Sequence, residues 1–156
     1  MSYFLVKEYI KFWIHARTAH GIHSPFIYNM VTKCLRNHNV FIQTRFYTES
    51  IPKKYNVLLN RILSFYGITS ISTDYERNFE VLISQNFKNS EKIIQKLENN
   101  QFWFLLNIRK NKQTLKKWEK IIQHSDIEIS IDLFLIGIIL KRKEQSKEHF
   151  QLKPKF

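Results

Sequence analysis

The sequence predicts a mixed α/β fold: a sheet of about five strands, helices on both faces, an antiparallel C-terminal hairpin, and two helices in front. Three observations predict it. Residues 127–133 alternate strictly, Ile127, Ile129, Ile131 and Leu133 against Glu128, Ser130 and Asp132, so one face meets a core and the other meets water, as at a sheet edge. Residues 135–140 follow without a polar side chain, and a strand apolar on both faces belongs inside a sheet covered by two helical layers. From residue 52 onward, helical periods and short apolar runs succeed one another as helix, strand, strand, helix, strand, helix, strand, strand, an order that builds parallel sheets. The closing hairpin is too tight to be anything but antiparallel.

Taken in order, Leu5, Tyr9, Phe12, Trp13 and Ala16 recur at helical spacing, with Lys7, Lys11 and His15 opposite. This helix runs out at His20 and Gly21, and Ser24-Pro25 opens a second one, a side-chain acceptor followed by the residue suited to the first helical position. Ile27, Met30, Val31, Cys34 and Leu35 form its stripe. Residues 37–51 have no clean period and read as an ordered connection. The clearest helix covers residues 52–66 through Tyr55, Leu58, Leu59, Ile62, Leu63 and Tyr66, and Gly67 closes it. Strands are expected at residues 68–73, 79–84 and 102–106, and helices at 90–99 and 112–123. In the last of these, Leu115, Trp118, Ile121 and Ile122 face inward. The tail from 141 to 156 reads as a flexible arm.

The chain has 156 residues, 44% hydrophobic and 15% aromatic, with only three glycines and three prolines, which excludes disorder and favours one domain with short loops. It divides into a helical extension over residues 1–51 and an α/β core over 52–156. A lone Cys34 leaves no internal disulfide or thiol cluster, which points to a reducing, cytoplasmic setting and a packing role for that residue. No apolar run approaches the length of a bilayer span, and Lys7 and Glu8 interrupt the N-terminal apolar pattern, so neither membrane nor signal peptide is expected. The formal charge of +12 would attract phosphate backbones and anionic membranes alike, and a compositional bias toward Lys, Asn, Ile and Phe accounts for part of it.

Two stretches resemble a known family. His15-Ala-Arg-Thr-Ala-His-Gly-Ile-His-Ser-Pro-Phe26 is similar to the N-terminal signature of a group of bacterial class I S-adenosylmethionine-dependent methyltransferases, with His20, Gly21, His23, Ser24 and Pro25 at its centre. Ile129-Ser-Ile-Asp-Leu-Phe134 and Arg142-Lys-Glu-Gln-Ser-Lys-Glu-His-Phe150 are similar to the same group's C-terminus. The resemblance implies a Rossmann-like sheet whose last, antiparallel strand is inserted beside the fifth. It also implies a glycine-rich loop after the first strand and a ribose-binding carboxylate after the second. Here Asp74-Tyr-Glu-Arg-Asn78 follows the expected first strand, there is no glycine between Gly67 and Gly137, and no room remains for two of the strands. Ser84, Gln85, Asn107, Arg109 and Lys110 stand where acidic strand ends are usual. The chain therefore reads as a truncated, catalytically silent member, a pseudoenzyme with no catalytic or cofactor-binding residues and an interaction role. An active methyltransferase with an atypical site is the remaining enzymatic reading.

Other constellations point elsewhere. His15, His20 and His23 lack a carboxylate or thiol at ligand spacing, so no metal is expected. Ser130, Asp132 and His149 contain the side chains of a hydrolytic triad but no nucleophile elbow. Arg109, Lys110, Lys112, Lys116, Lys117 and Lys120 form a candidate phosphate-binding patch for nucleic acid. Without two of the family's strands, residues 68–73 should lie at a sheet edge, open to a protein partner or a second copy unless residues 37–51 cover them. Trp13, Trp103 and Trp118 are expected in the core rather than as base-stacking platforms.

Overall fold

The structure is a computed structural model describing residues 2–43 and 45–156. Helix α1 (Tyr3–His15) is capped by Ser2, whose hydroxyl accepts from the Leu5 amide. Only Phe12 of this helix is fully buried, and Tyr3, Ile10 and Ile14 stay exposed beside the lysines. Helix α2 (Pro25–Met30) starts at the predicted Ser24 cap and continues as a π-helical turn, Val31–Leu35. Helix α3 (Lys53–Phe65) ends before Gly67, whose φ of +64° is the left-handed closure that glycine adopts without strain.

The sheet has six strands rather than about five. They are β1 (Ile71–Ser72), β2 (Val81–Ser84), β3 (Phe102–Leu106), β4 (Ile129–Asp132), β5 (Ile136–Leu140) and β6 (Glu148–Gln151), in the order β1-β2-β3-β5-β4-β6. Only β5 runs antiparallel, between β3 and β4; the other five are parallel to one another. Helices α4 (Ser90–Lys96) and α5 (Lys112–Ile122) cover one face, meeting Leu82, Trp103, Leu105 and Ile139. The other face carries Val81, Phe104, Ile131 and Ile138 against α1, α2 and α3. Strand β3 is buried on both faces, as its unbroken apolar sequence requires.

Two expectations are corrected at the C-terminal side of the sheet. The alternating strand is not at an edge: β4 lies between β5 and β6, with Ser130 and Asp132 only 2% and 1% exposed. Its open edge is occupied because the tail, expected to be a free arm, folds back as β6, whose His149 and Gln151 meet Ser130 and Asp132 on the polar face. Phe150 and Leu152 are buried there, and the Leu152 amide donates to the Asp132 carbonyl at 3.0 Å. Burial of Phe150 and Leu152, together with backbone pairing, outweighs the solvation of a basic tail. The tail is secured further by Arg61 of α3, whose guanidinium donates to the carbonyls of Leu35 and Lys155.

At the opposite end β1 is shorter than residues 68–73, but it does lie at the sheet edge, pairing among the described residues with β2 alone. The Glu80 carboxylate accepts from the Thr69 and Ser70 amides, both at 2.8 Å, and aligns the approach to β1. These bonds hold the Glu80 carboxyl below its ordinary pKa.

Candidate functional site

The carboxyl ends of the parallel strands share one crest, the place where α/β sheets present loops to ligands. Four segments build it here: residues 73–78 after β1, Gln85 after β2, residues 107–109 after β3, and residues 132–134 between β4 and β5. Between β1, β2 and the start of α4 lies a cleft of about 600 Å3, lined by Asp74, Tyr75, Gln85, Asn86 and Lys88 among others. Asp74 is committed to its own turn, because its carboxylate accepts from the Glu76 amide at 2.9 Å and pairs with Arg77 at 3.5 Å. The hydroxyl of Ser72 caps the same turn by donating to the Asp74 carbonyl.

Next along the crest is a strap made by the connection between α2 and α3. Asn56 and Asn60, on one face of α3, hold it through paired bonds to the backbones of Thr48 and Phe46. From there the Gln85 side-chain amide donates to the Thr48 hydroxyl at 3.1 Å, and that of Asn107 to the Ser50 carbonyl at 2.7 Å. The connection runs over the crest and α3 instead of along β1; of this stretch, Thr44 is outside the described residues. The outer side of β1 has no strand against it among those residues.

Arg109 does not belong to the lysine patch. It is 3% exposed and forms a two-pronged ion pair with Asp132, at 2.6 and 2.5 Å, while also donating to the Phe134 carbonyl at 2.8 Å. Its guanidinium sits 5.3 Å from the ring centres of both Phe12 and Phe134. One Asp132 oxygen further accepts from the Phe134 amide at 2.8 Å, fixing a hairpin turn in which Phe134 takes a φ of +76°. Charge at a strand end requires a partner once the strand is buried, and Asp132 supplies it. The one local signal was that Asp132 directly precedes, and Arg109 closely follows, an apolar run, residues 133–136 and 102–106.

The same geometry removes the triad. The Ser130 hydroxyl and His149 Nδ1 do meet, at 2.8 Å across β4 and β6, but Asp132 is turned toward Arg109 and Gln151 and makes no bond to the imidazole. Ser130 is also too buried to attack a substrate. His149 rests edge-on against Trp118, and burial of its inner side lowers its pKa, with the Asp132 charge acting in the opposite direction.

Lys110, Lys112, Lys116, Lys117 and Lys120 are exposed on and before α5, which is capped by a reciprocal Asn111 and Thr114 pair. Lys117 and Lys120 also line a groove of about 400 Å3 between α4 and α5, with Lys92 and Phe87 on the facing wall. At the other end of the molecule, His20 and His23 are exposed, Gly21 turns at a φ of +77°, and Ser24 with Pro25 starts α2. No group of three potential metal ligands occurs among the described residues. Cys34 is fully buried, and that burial raises its thiol pKa to about 12. Trp103 and Trp118 are core residues, as expected, and Trp13 is half-buried. No helix is long and apolar enough to cross a membrane among the described residues. In comparisons with family models, curated proteins and solved structures, nothing matches the chain.

Proposed function

We propose that this chain is a shortened, Rossmann-like relative of class I S-adenosylmethionine-dependent methyltransferases that no longer binds the cofactor and serves as a protein-interaction module. The observation that carries the reading is the strand order: an antiparallel β5 inserted between β3 and β4, with β1 left at the edge. This is the order expected of the resembling family once its second and third strands are removed. Strand β6 extends this order by one strand outside β4.

The residues at the crest do not fit S-adenosylmethionine. A glycine-rich loop is needed where its backbone must approach the cofactor, and residues 73–78 offer side chains at every position. Asp74 already caps its own turn, no strand that could carry a ribose carboxylate lies beyond β1 among the described residues, and the buried Arg109–Asp132 pair and the strap occupy the neighbouring crest. What remains available is the free edge of β1, which has neither Lys nor Pro to discourage pairing with an added strand.

Calorimetric titration of S-adenosylmethionine tests the first half of this reading: no heat of binding is expected, and saturable binding in the micromolar range would restore the enzyme. Light scattering tests the second half. Ser70 is exposed and its side chain forms no part of the strand pairing, so Ser70→Lys should lower the oligomer mass seen at high concentration. A wild-type chain that stays monomeric and captures no strand at β1 overturns the interaction role.

The exposed lysines of α5, facing Lys92 across the groove, favour a second reading as a nucleic-acid-binding surface. Under it, affinity falls steeply with salt, and Lys112→Glu, Lys116→Glu and Lys120→Glu together weaken binding to all sequences alike. Absence of any gel shift at low salt with RNA and DNA removes it.

A further inference from the structure

Far from the crest, at the amino ends of the parallel strands, the structure brings together two segments that the proposed function does not use. The start of α2 meets the stretch between β5 and β6, and a cleft of about 420 Å3 opens there, within the range of small-molecule sites. Its apolar lining is Tyr66 from the end of α3, Ile68, Phe102 at the start of β3 and Leu140 at the end of β5, with the polar Asn99 and Asn100 beside them. At the rim the side chains form a column. The Arg142 guanidinium lies 4.4 Å from the Phe26 ring centre, Phe26 stacks on Tyr66 at 5.5 Å and 22°, and Tyr66 leans on Phe102 at 5.0 Å. A second hollow of similar size adjoins it, sharing Phe26, Arg142 and Glu144 and adding His23.

Two donors in this column are uncommitted. Arg142 forms no ion pair among the described residues, although Glu144 lines the same cleft. Stacking covers one face of the guanidinium and leaves its planar edge to present parallel N–H groups, the arrangement that matches a carboxylate. The Tyr66 hydroxyl is buried without a hydrogen-bond partner, an arrangement that costs free energy unless something completes it. Burial also raises its pKa, so it remains a donor at neutral pH, and the Arg142 charge acts on it in the opposite direction.

An apolar lining with a stacked, unpaired cation at its rim suits one kind of ligand. We propose that this cleft binds a small organic acid with an aromatic or short aliphatic body, the body lying against Phe26, Ile68, Phe102 and Leu140 and the carboxylate meeting Arg142. A bare phosphate leaves the apolar lining uncovered, and a neutral molecule leaves Arg142 unpaired. The inference does not depend on the fate of the crest or of β1.

Phenylacetate is a suitable probe, followed by amide chemical shifts in the 15N-labelled full chain and by calorimetry. Saturable shifts confined to the surroundings of Phe26, Tyr66 and Arg142 are expected. Arg142→Gln, which keeps the backbone bond from residue 142 to Glu128, should weaken binding roughly tenfold or more. Glu144→Gln removes a repelling charge from an exposed position and should tighten it. 2-Phenylethanol, which has the same body without the charge, should bind at least ~10-fold more weakly, and inorganic phosphate should not compete. Equal binding of the alcohol would reduce the site to a nonspecific apolar hollow, and competition by phosphate would make it a plain anion site; either result overturns the proposal. So does weaker binding in Glu144→Gln, which would mark a preference for cations, or no saturable shift at all. The wild-type and Glu144→Gln comparisons decide the matter even if Arg142→Gln fails to fold.

Discussion

Replacing Asp132 with Ala should be among the most damaging single changes available in this chain. Its carboxylate accepts four hydrogen bonds, two from Arg109 at 2.6 and 2.5 Å, one from the Phe134 amide at 2.8 Å and one from Gln151 at 3.3 Å. Removing it leaves a guanidinium that is 3% exposed and walled by Phe12 and Phe134, with a single carbonyl as partner and its Nε already unsatisfied. Stranding one member of a buried pair costs about 3–5 kcal/mol, a large part of the roughly 5–15 kcal/mol that holds a typical domain together. At this chain length the loss corresponds to a fall in Tm of roughly 6–20 °C. Urea denaturation followed by circular dichroism measures it directly. The double variant Arg109→Met, Asp132→Leu provides the contrast, because exchanging both charges for apolar groups of similar size is often neutral. If Asp132→Ala costs less than about 1 kcal/mol, the pair is not sealed from water as its exposure implies. If the double variant is as unstable as the single one, shape rather than stranded charge is responsible.

Two further predictions concern the same layer. At Gly137 an added Cβ would lie 2.7 Å from the Trp118 ring, so Gly137→Ala should cost about 1–3 kcal/mol by overpacking, and a chemical-denaturation midpoint equal to wild type would mean that Trp118 is free to move. His149 has a folded pKa below its unfolded value, so the unfolded chain takes up the extra proton. Its contribution is complete above the unfolded pKa of about 6.5 and declines as the pH falls through that value. Stability should therefore depend less on pH between about 5 and 7.5 in His149→Gln than in wild type, by a small margin because the outer side of the ring meets solvent. Identical pH profiles for the two proteins would refute this.

Local chemistry was enough to place most elements. Ser24-Pro25 set the start of α2, Gly67 set the end of α3, and the apolar run of residues 102–106 required an interior strand; each depends on bonds or burial confined to a few neighbouring residues. Alternation correctly made β4 a strand but not an edge strand, because the pattern records that Ser130 and Asp132 are polar and not what lies opposite them. That was decided by β6, which begins sixteen residues beyond the end of β4 and pairs His149 with Ser130 and Gln151 with Asp132. In the same way, spacing along α5 grouped Arg109 with the lysines, and only the approach of the β4 end, 23 residues away, showed it to be the buried partner of Asp132. The cleft at Arg142 draws on α2, α3, β3 and the stretch after β5 at once. A periodicity can assign a residue to a face, but the energy of a buried charge or an uncommitted donor depends on groups that only the folded chain brings within a few ångströms.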